Sequence, residues 1–287
     1  MRGSTVTRQF ETGSIRSSDG TTIGYRRVGQ GPALILVHGA MMTSQQFERL
    51  AAALADEFTV FAPDRRGRGM SGPVGANYGI ETEIGDLTAL VRETNAHNVF
   101  GLSSGAVIAM AAALALPQIR KLALYEPPLT GDHFSPLGWT ARYERELAEN
   151  RLAAAFVSAL KGTGDKRSVA SLPRALLVPA MTLALRLDKG EEGRPAVRKL
   201  VPTVRCDITV LRSTTDIWDR LAELRCDTLL LGGDRSIAYL PAALDQLQAT
   251  LPAATRVTFP DAGHTATFND EKPELVAAEL RRFLTRR

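Results

Sequence analysis

Short apolar runs alternate with amphipathic stretches along the first half of the chain. Apolar patterns predict strands at 21–28, 33–37, 59–62, 98–102 and 121–125. A period of 3.6 residues predicts helices at 43–57, 81–94 and 104–116. The four strands from residue 33 onward are short apolar runs separated by helices, which is typical of a parallel sheet buried on both faces. The predicted fold class is therefore α/β, with a mostly parallel, doubly wound sheet.

The alternation stops in the middle of the chain and resumes near its end. Residues 128–224 show only helical stretches, at 139–160, 175–187 and 215–224. Strands at 228–231 and 256–259 and helices at 240–250 and 273–284 follow. We interpret residues 1–127 and 225–287 as a core domain and 128–224 as an inserted helical cap, or lid. Its point of insertion predicts a position over the carboxyl ends of the strands, where open α/β sheets bind ligands.

A sharp turn between the strand at 98–102 and the next helix carries the sequence Gly101-Leu102-Ser103-Ser104-Gly105. A serine held at such a turn has a strained backbone, so the residues two positions away on each side must be small. Gly101 and Gly105 meet that need, whereas Ser104 lacks this pair of flanking glycines. The pattern indicates a nucleophile elbow with Ser103 at its tip.

Composition and charge narrow the class of protein without naming a reaction. The chain has 287 residues, 44% of them hydrophobic and 23% charged, which is ordinary for a globular enzyme. A polar start and the lack of a long apolar run predict a cytoplasmic protein with no membrane segment. The net charge of +4 comes from the central segment, where basic and acidic residues are interspersed, so nucleic-acid binding is not expected. Abundant arginine and alanine are typical of bacterial high-GC coding.

Five motifs in order resemble the α/β-hydrolase superfamily over nearly the whole chain. They are the strand exit 38–41, the glycine-rich loop 64–72, the elbow 101–105, the helical cap, and Asp261-Ala262-Gly263-His264 before the last helix. The resemblance implies the order nucleophile, acid, histidine, with Ser103 and His264 in the first and third places. It also assigns the two oxyanion-hole amides to Ala40 and Ser104, with Met41 as the alternative to Ala40.

The acid departs from the pattern that is common in this superfamily. Most relatives carry the aspartate three residues after a glycine that corresponds to Gly233, and Ser236 stands at that position here. Asp234 lies two residues too early, although a shifted loop could deliver it. Glu126 ends the strand at 121–125, where some members of the superfamily take their acid. We therefore predict Glu126 as the acid, with Asp234 as the alternative.

A serine at the elbow predicts acyl transfer through an acyl-enzyme, because an activated hydroxyl attacks a carbonyl carbon. The expected reaction is hydrolysis of a small carboxylic ester, lactone or thioester. An acyltransferase using the same intermediate, or a non-catalytic ligand-binding protein on a hydrolase fold, stays open as an alternative. No metal site and no cofactor are expected, because neither a metal-ligand cluster nor a nucleotide-binding motif occurs in the sequence. The apolar cap predicts an apolar substrate, with five candidate pocket residues: Phe134, Trp139, Phe156, Met181 and Trp218.

Overall fold

The computed structural model describes residues 8–129, 137–164, 171–191, 194–214 and 216–286. Its sheet has eight strands: β1 (Glu11–Arg16), β2 (Thr22–Val28), β3 (Ala33–Val37), β4 (Thr59–Pro63), β5 (Asn98–Leu102), β6 (Lys121–Tyr125), β7 (Asp227–Gly233) and β8 (Thr255–Phe259). Their spatial order is β1-β2-β4-β3-β5-β6-β7-β8. The pairs β1·β2 and β2·β4 are antiparallel, and every later pair is parallel. The predicted mostly parallel α/β sheet is confirmed.

Helices cover both faces of the sheet, because successive strand residues point to opposite sides. In β3, Ile35 and Val37 belong to one buried apolar cluster, and Leu34 and Leu36 belong to the other. Helices α2 (Ile80–Thr94), α3 (Ser104–Ala115) and α10 (Tyr239–Thr250) pack into the first cluster. Helices α1 (Glu48–Leu54) and α11 (Pro273–Thr285) pack into the second. The sheet is thus doubly wound.

The stretch between β6 and β7 contains only helices in the part that the structure describes. These inserted helices are α4 (Thr140–Ala148), α5 (Leu152–Thr163), α6 (Arg174–Leu187), α7 (Val197–Leu200), α8 (Val204–Arg212) and α9 (Ile217–Arg220). Tyr143, Ala155, Val201 and Ile208 are among the residues of a small apolar core of their own. Helix α8 also packs against α3 of the sheet layer. The division at residues 127 and 225 stays a prediction.

Three local features differ from the sequence-based expectations. Strand β1 was not predicted, because it is an edge strand with only Ile15 buried and so lacks an apolar signal. The helix expected at 43–57 begins with a 3₁₀ turn at Ser44–Phe47 before α1. The stretch expected as helical at 139–160 is divided between α4 and α5, because Asn150 has a positive φ of 57° at the break.

None of the helices in the described ranges has both the length and the apolar character that crossing a bilayer requires.

The end of β7 lies against the loop that connects β8 to α11. A Cβ atom added to Gly233 would stand 2.1 Å from the carbonyl oxygen of Ala262, and one added to Gly263 would meet no atom within 4 Å. Two glycines in the same neighbourhood therefore differ sharply in the space around them. Gly233 allows the close approach of this loop to the sheet.

We predict that G233A lowers the free energy of unfolding by about 1–3 kcal/mol, since the added methyl group must displace backbone. The matched variant G263A should change it by less than about 0.5 kcal/mol. Urea denaturation followed by circular dichroism measures both. Equal stability of the two variants would contradict the packing described.

Candidate active site

Ser103 lies at the turn from β5 into α3 and has a strained backbone. Its φ is 56° and its ψ is −127°, outside the regions that a serine normally adopts. A Cβ atom at Gly101 would come within 2.5 Å of the Ala106 Cα, and one at Gly105 within 2.3 Å of the Val37 carbonyl oxygen. Both flanking glycines are therefore required by the backbones that surround the turn. The tight turn that the sequence predicted is present.

Glu126 follows the last residue of β6 and has no exposed surface. Its φ of 46° is also in the left-handed region. One carboxylate oxygen, Oε2, lies 2.7 Å from Nδ1 of His264. The other, Oε1, accepts hydrogen bonds from the backbone N–H of Gly233 at 2.7 Å and from the hydroxyl of Ser236 at 2.6 Å. Both oxygens of this buried carboxylate are thus satisfied, as a buried charge requires.

The two candidate acids differ in their surroundings. Asp234 is exposed at the start of the turn after β7, and its backbone N–H donates to the carbonyl of Phe259. The carboxylate that contacts His264 belongs to Glu126. Ser236, at the position where the resemblance led us to look for an aspartate, donates to Glu126. This serine thereby helps to fix the carboxylate that comes from the neighbouring strand.

His264 lies in the loop between β8 and α11, with a side chain that is 14% exposed. The hydroxyl of Tyr125 donates to the carbonyl of Gly263 at 2.7 Å. The backbone N–H of Arg235 donates to the carbonyl of Ala262 at 2.9 Å. Residues at the ends of β6 and β7 therefore hold the histidine loop in place.

Ser103 and His264 line the same cavity, whose volume is about 110 Å³. The sheet layer contributes Ala40, Met42, Leu102, Ser104, Tyr239 and Phe268 to its walls, and the inserted helices and the residues around them contribute Leu137, Trp139, Thr163, Val204, Asp207, Ile208 and Leu211. Most of these side chains are apolar. The cavity thus lies between the carboxyl ends of the strands and the inserted helices.

The predicted pocket residues are divided between the cavity and the packing around it. Trp139 lines the cavity. Phe156 packs against the apolar core of the inserted helices, and Trp218 packs against the large cluster of the sheet layer. Met181 lies half-buried on α6, away from the cavity wall. Phe134 lies outside the described residues. A role for Phe156, Met181 and Trp218 in substrate binding stays a prediction, because an apolar pattern does not distinguish a cavity wall from a helix contact.

The predicted oxyanion donors lie close to Ser103. Ala40 and Ser104 both line the cavity. Ser104 is the first residue of α3, and the first N–H groups of a helix have no partner within it and carry the positive end of its dipole. Met41 has a φ of 58°, and its side chain packs against the core of the inserted helices. The roles of these three amides stay predictions.

A buried group of charges lies beside the cavity, and no local sequence pattern indicates it. Asp207 of α8 accepts from Arg65 at 2.7 Å through Oδ1 and from Arg68 at 2.6 Å through Oδ2. The hydroxyl of Ser104 also donates to Oδ1, at 2.7 Å. Burial acts to raise the pKa of Asp207, but the two arginines outweigh it and hold this pKa below its usual value. Glu83 pairs with Arg65 at 2.9 Å, so the group contains two cations and two anions.

His38, at the exit of β3, is fully buried within this group. The backbone N–H of Arg65 donates to its Nε2 at 3.1 Å, so the proton of the neutral ring is on Nδ1. Nδ1 then donates to the carbonyl of Gly39 at 2.9 Å. Burial, followed by the nearby charges of Arg68 and Arg65, lowers the pKa of His38 well below 6.5. The ring is neutral in the folded protein.

Comparison with known proteins identifies the family. A profile of the alpha/beta hydrolase family matches residues 34–279, which is most of the chain. The chain belongs to this family. The predicted resemblance and the predicted enzyme class, an α/β hydrolase, are thereby confirmed.

Several known proteins are similar to this chain. A pimeloyl-[acyl-carrier protein] methyl ester esterase from Stenotrophomonas maltophilia is 27% identical over 89% of this chain and 94% of that protein. A 2-(acetamidomethylene)succinate hydrolase from Mesorhizobium japonicum is 23% identical over 97% and 95%. Among solved structures, an alpha/beta hydrolase from Sphaerobacter thermophilus has a TM-score of 0.76 and 32% identity, covering 95% of this chain and all of that one.

We predict that the free energy of unfolding falls more steeply with decreasing pH in the wild-type protein than in H38N. His38 binds a proton near pH 6.5 in the unfolded state but not in the folded state. The stability that comes from burying the neutral ring is therefore complete above pH 6.5 and is lost as pH falls. Between pH 7.5 and 5.5 the wild type should lose about 1.4 kcal/mol more than H38N. Urea unfolding at both pH values measures this difference. Parallel losses would contradict a neutral, buried His38.

Proposed function

We propose that this α/β hydrolase is a serine hydrolase that cleaves a small carboxylic ester, lactone or thioester through an acyl-enzyme. Ser103 is the nucleophile, His264 the general base and Glu126 the carboxylate that orients the histidine. One observation carries this proposal: Oε2 of Glu126 lies 2.7 Å from Nδ1 of His264, and this histidine lines the same cavity as Ser103. His264 is thus available as a base near Ser103, and Glu126 is available to orient it.

The proposed reaction has two halves. Ser103 Oγ bonds to the acyl carbon while its proton passes to Nε2 of His264, and the carbonyl oxygen becomes an oxyanion. The Ala40 and Ser104 N–H groups are the proposed donors to that oxygen, and such preorganised donors are often the largest catalytic contribution. The carbon–oxygen or carbon–sulfur bond to the leaving group then breaks, and His264 returns the proton to that group. Water repeats the sequence, with its proton taken by His264, and releases the acid and Ser103.

Glu126 suits the orienting role because its surroundings keep it in one position. Gly233 and Ser236 donate to one oxygen, which leaves the other directed at Nδ1 of His264. An ionised Glu126 would keep the Nδ1 proton on the ring and stabilise the imidazolium that forms during acyl transfer. The absence of an acid at position 236, where Ser236 stands, was the only sequence feature that favoured a non-catalytic protein. The contact of the Glu126 carboxylate with His264 favours an enzyme instead.

The walls of the cavity support a small and largely apolar substrate. Trp139, Val204, Ile208 and Phe268 are among the side chains that line it. Asp207 also reaches the cavity, but Arg65 and Arg68 already neutralise its charge. The name of one similar protein, the methyl ester esterase from Stenotrophomonas maltophilia, supports esters as the substrate class. We also propose that the inserted helices act as the cap over this cavity.

We predict that E126Q lowers turnover of p-nitrophenyl esters by about 10⁴, because a neutral amide neither fixes the histidine tautomer nor stabilises the imidazolium. The matched variant D234N should hydrolyse these esters at close to the wild-type rate. Circular dichroism checks that both variants are folded. Near-normal turnover in E126Q with collapse in D234N would reverse the assignment of the acid.

A fluorophosphonate probe should label the wild-type protein at Ser103, because the probe phosphonylates an activated serine hydroxyl. S103A should give no adduct by mass spectrometry, and S104A, which keeps its backbone N–H, should still be labelled. Absence of the adduct in the wild type would contradict the hydrolase proposal. Labelling without hydrolysis of any p-nitrophenyl ester would favour an acyltransferase.

A further inference from the structure

The peptide between Gly39 and Ala40 is held in one orientation by two donors. Nδ1 of His38 lies 2.9 Å from the carbonyl oxygen of Gly39, and the guanidinium of Arg68 donates to the same oxygen at 3.1 Å. The peptide unit is planar and trans, so its C=O and N–H point in opposite directions. Holding the carbonyl of Gly39 among buried donors therefore directs the N–H of Ala40 the other way. Ala40 lines the cavity beside Ser103.

Arg68 is itself fixed by the inserted helices. Its side chain is fully buried, and Nε donates to the hydroxyl of Thr203 at 3.0 Å. The terminal nitrogen that does not contact Gly39 donates to the carbonyl of Thr203 at 3.1 Å and to Asp207 at 2.6 Å. The planar guanidinium thus joins the Gly39 carbonyl to two residues that lie between β6 and β7 in the chain. A lysine ammonium at this position could not reproduce the fork of donors.

Asp207 connects to the second proposed oxyanion donor as well. Its Oδ1 accepts from the hydroxyl of Ser104, the residue whose backbone N–H begins α3, and Arg65 approaches the same hydroxyl at 3.2 Å. One carboxylate of α8 is therefore linked to Ala40 through Arg68 and to Ser104 directly. Both donors belong to the sheet layer, while Asp207 belongs to an inserted helix.

We propose that Arg68 and Asp207 are positioning residues through which helix α8 sets the oxyanion hole of the sheet layer. Neither residue touches the reacting atoms. Their contacts keep the Gly39–Ala40 peptide turned so that its N–H faces the cavity, and they fix the first turn of α3. The role rests on the proposed function, because it needs Ala40 and Ser104 to act as donors.

The expected signature is a loss of transition-state stabilisation with little change in substrate binding. R68M removes the donor to Gly39 and should lower kcat for p-nitrophenyl butyrate by about 10–100-fold, which is less than the full loss of an oxyanion donor. KM should change by less than about threefold, because the ester carbonyl carries little charge in the ground state. All rates are expressed per active site titrated with fluorophosphonate, so that a smaller fraction of folded protein does not lower the measured kcat.

Binding of an alkyl trifluoromethyl ketone separates positioning from a merely structural role. Ser103 Oγ adds to the ketone carbon, its proton passes to His264, and the carbonyl oxygen becomes an anion held in the hole. The affinity of R68M for this inhibitor should fall by the same factor as kcat. R66M is the matched control: Arg66 is equally buried in the same loop but pairs with Asp86 and Asp19. It should lose stability while keeping wild-type kcat and inhibitor affinity per active site.

Further variants and outcomes make the result decisive. R68K keeps the positive charge and decides the outcome if R68M does not fold; it should lose kcat and inhibitor affinity together by about tenfold. D207N should also have a lower kcat and a lower inhibitor affinity than the wild-type protein. Values for R68K and R68M within about threefold of R66M would overturn the positioning role while leaving the serine mechanism intact. Failure of the wild-type protein to react with fluorophosphonate would instead overturn the proposed function.

Discussion

The hydrogen bonds of the buried Glu126 carboxylate are the interactions on which the rest of the site depends. A charged group without solvent exposure is tolerated only where its oxygens are paired, and here three separate elements supply the partners. Gly233 and Ser236 come from β7 and the turn after it, and His264 comes from the loop after β8. Glu126 itself directly follows β6. One side chain thus joins the carboxyl ends of the strands into a single rigid site.

Backbone strain is concentrated at the same edge of the sheet. Met41, Ser103, Glu126 and Asp261 all have positive φ values, and each follows the end of a strand closely. Such conformations cost about 1–3 kcal/mol each and persist only where the surrounding structure enforces them. Close glycines and buried hydrogen bonds provide that enforcement here. In our account, strain at these turns aims the side chain of Ser103 and the peptides near it into the cavity.

The elements that the sequence predicts correctly are those with an unambiguous apolar signal. Strands β3, β5 and β6 have the predicted bounds because each is buried from its second residue to its end, whereas edge strand β1 has a single buried residue. Glu126 could be proposed because it directly follows such a strand. The contact of Arg68 with Asp207 spans 139 positions in the chain, and no local pattern marks a pairing of that kind. Likewise, helical periodicity predicts helices in the inserted segment but does not indicate which of their residues reach the cavity.

The role of Glu126 is tested most directly by the NMR resonance of the proton between His264 and Glu126. The spectrum is recorded on protein with ¹⁵N-labelled histidine, and H264Q is used to assign the resonance. A charge-assisted hydrogen bond of 2.7 Å to a buried carboxylate should give the Nδ1 proton of His264 a resonance at unusually low field. That resonance should be present in the wild type, remain in D234N and leave the low-field region in E126Q. Its persistence in E126Q together with its loss in D234N would contradict the account.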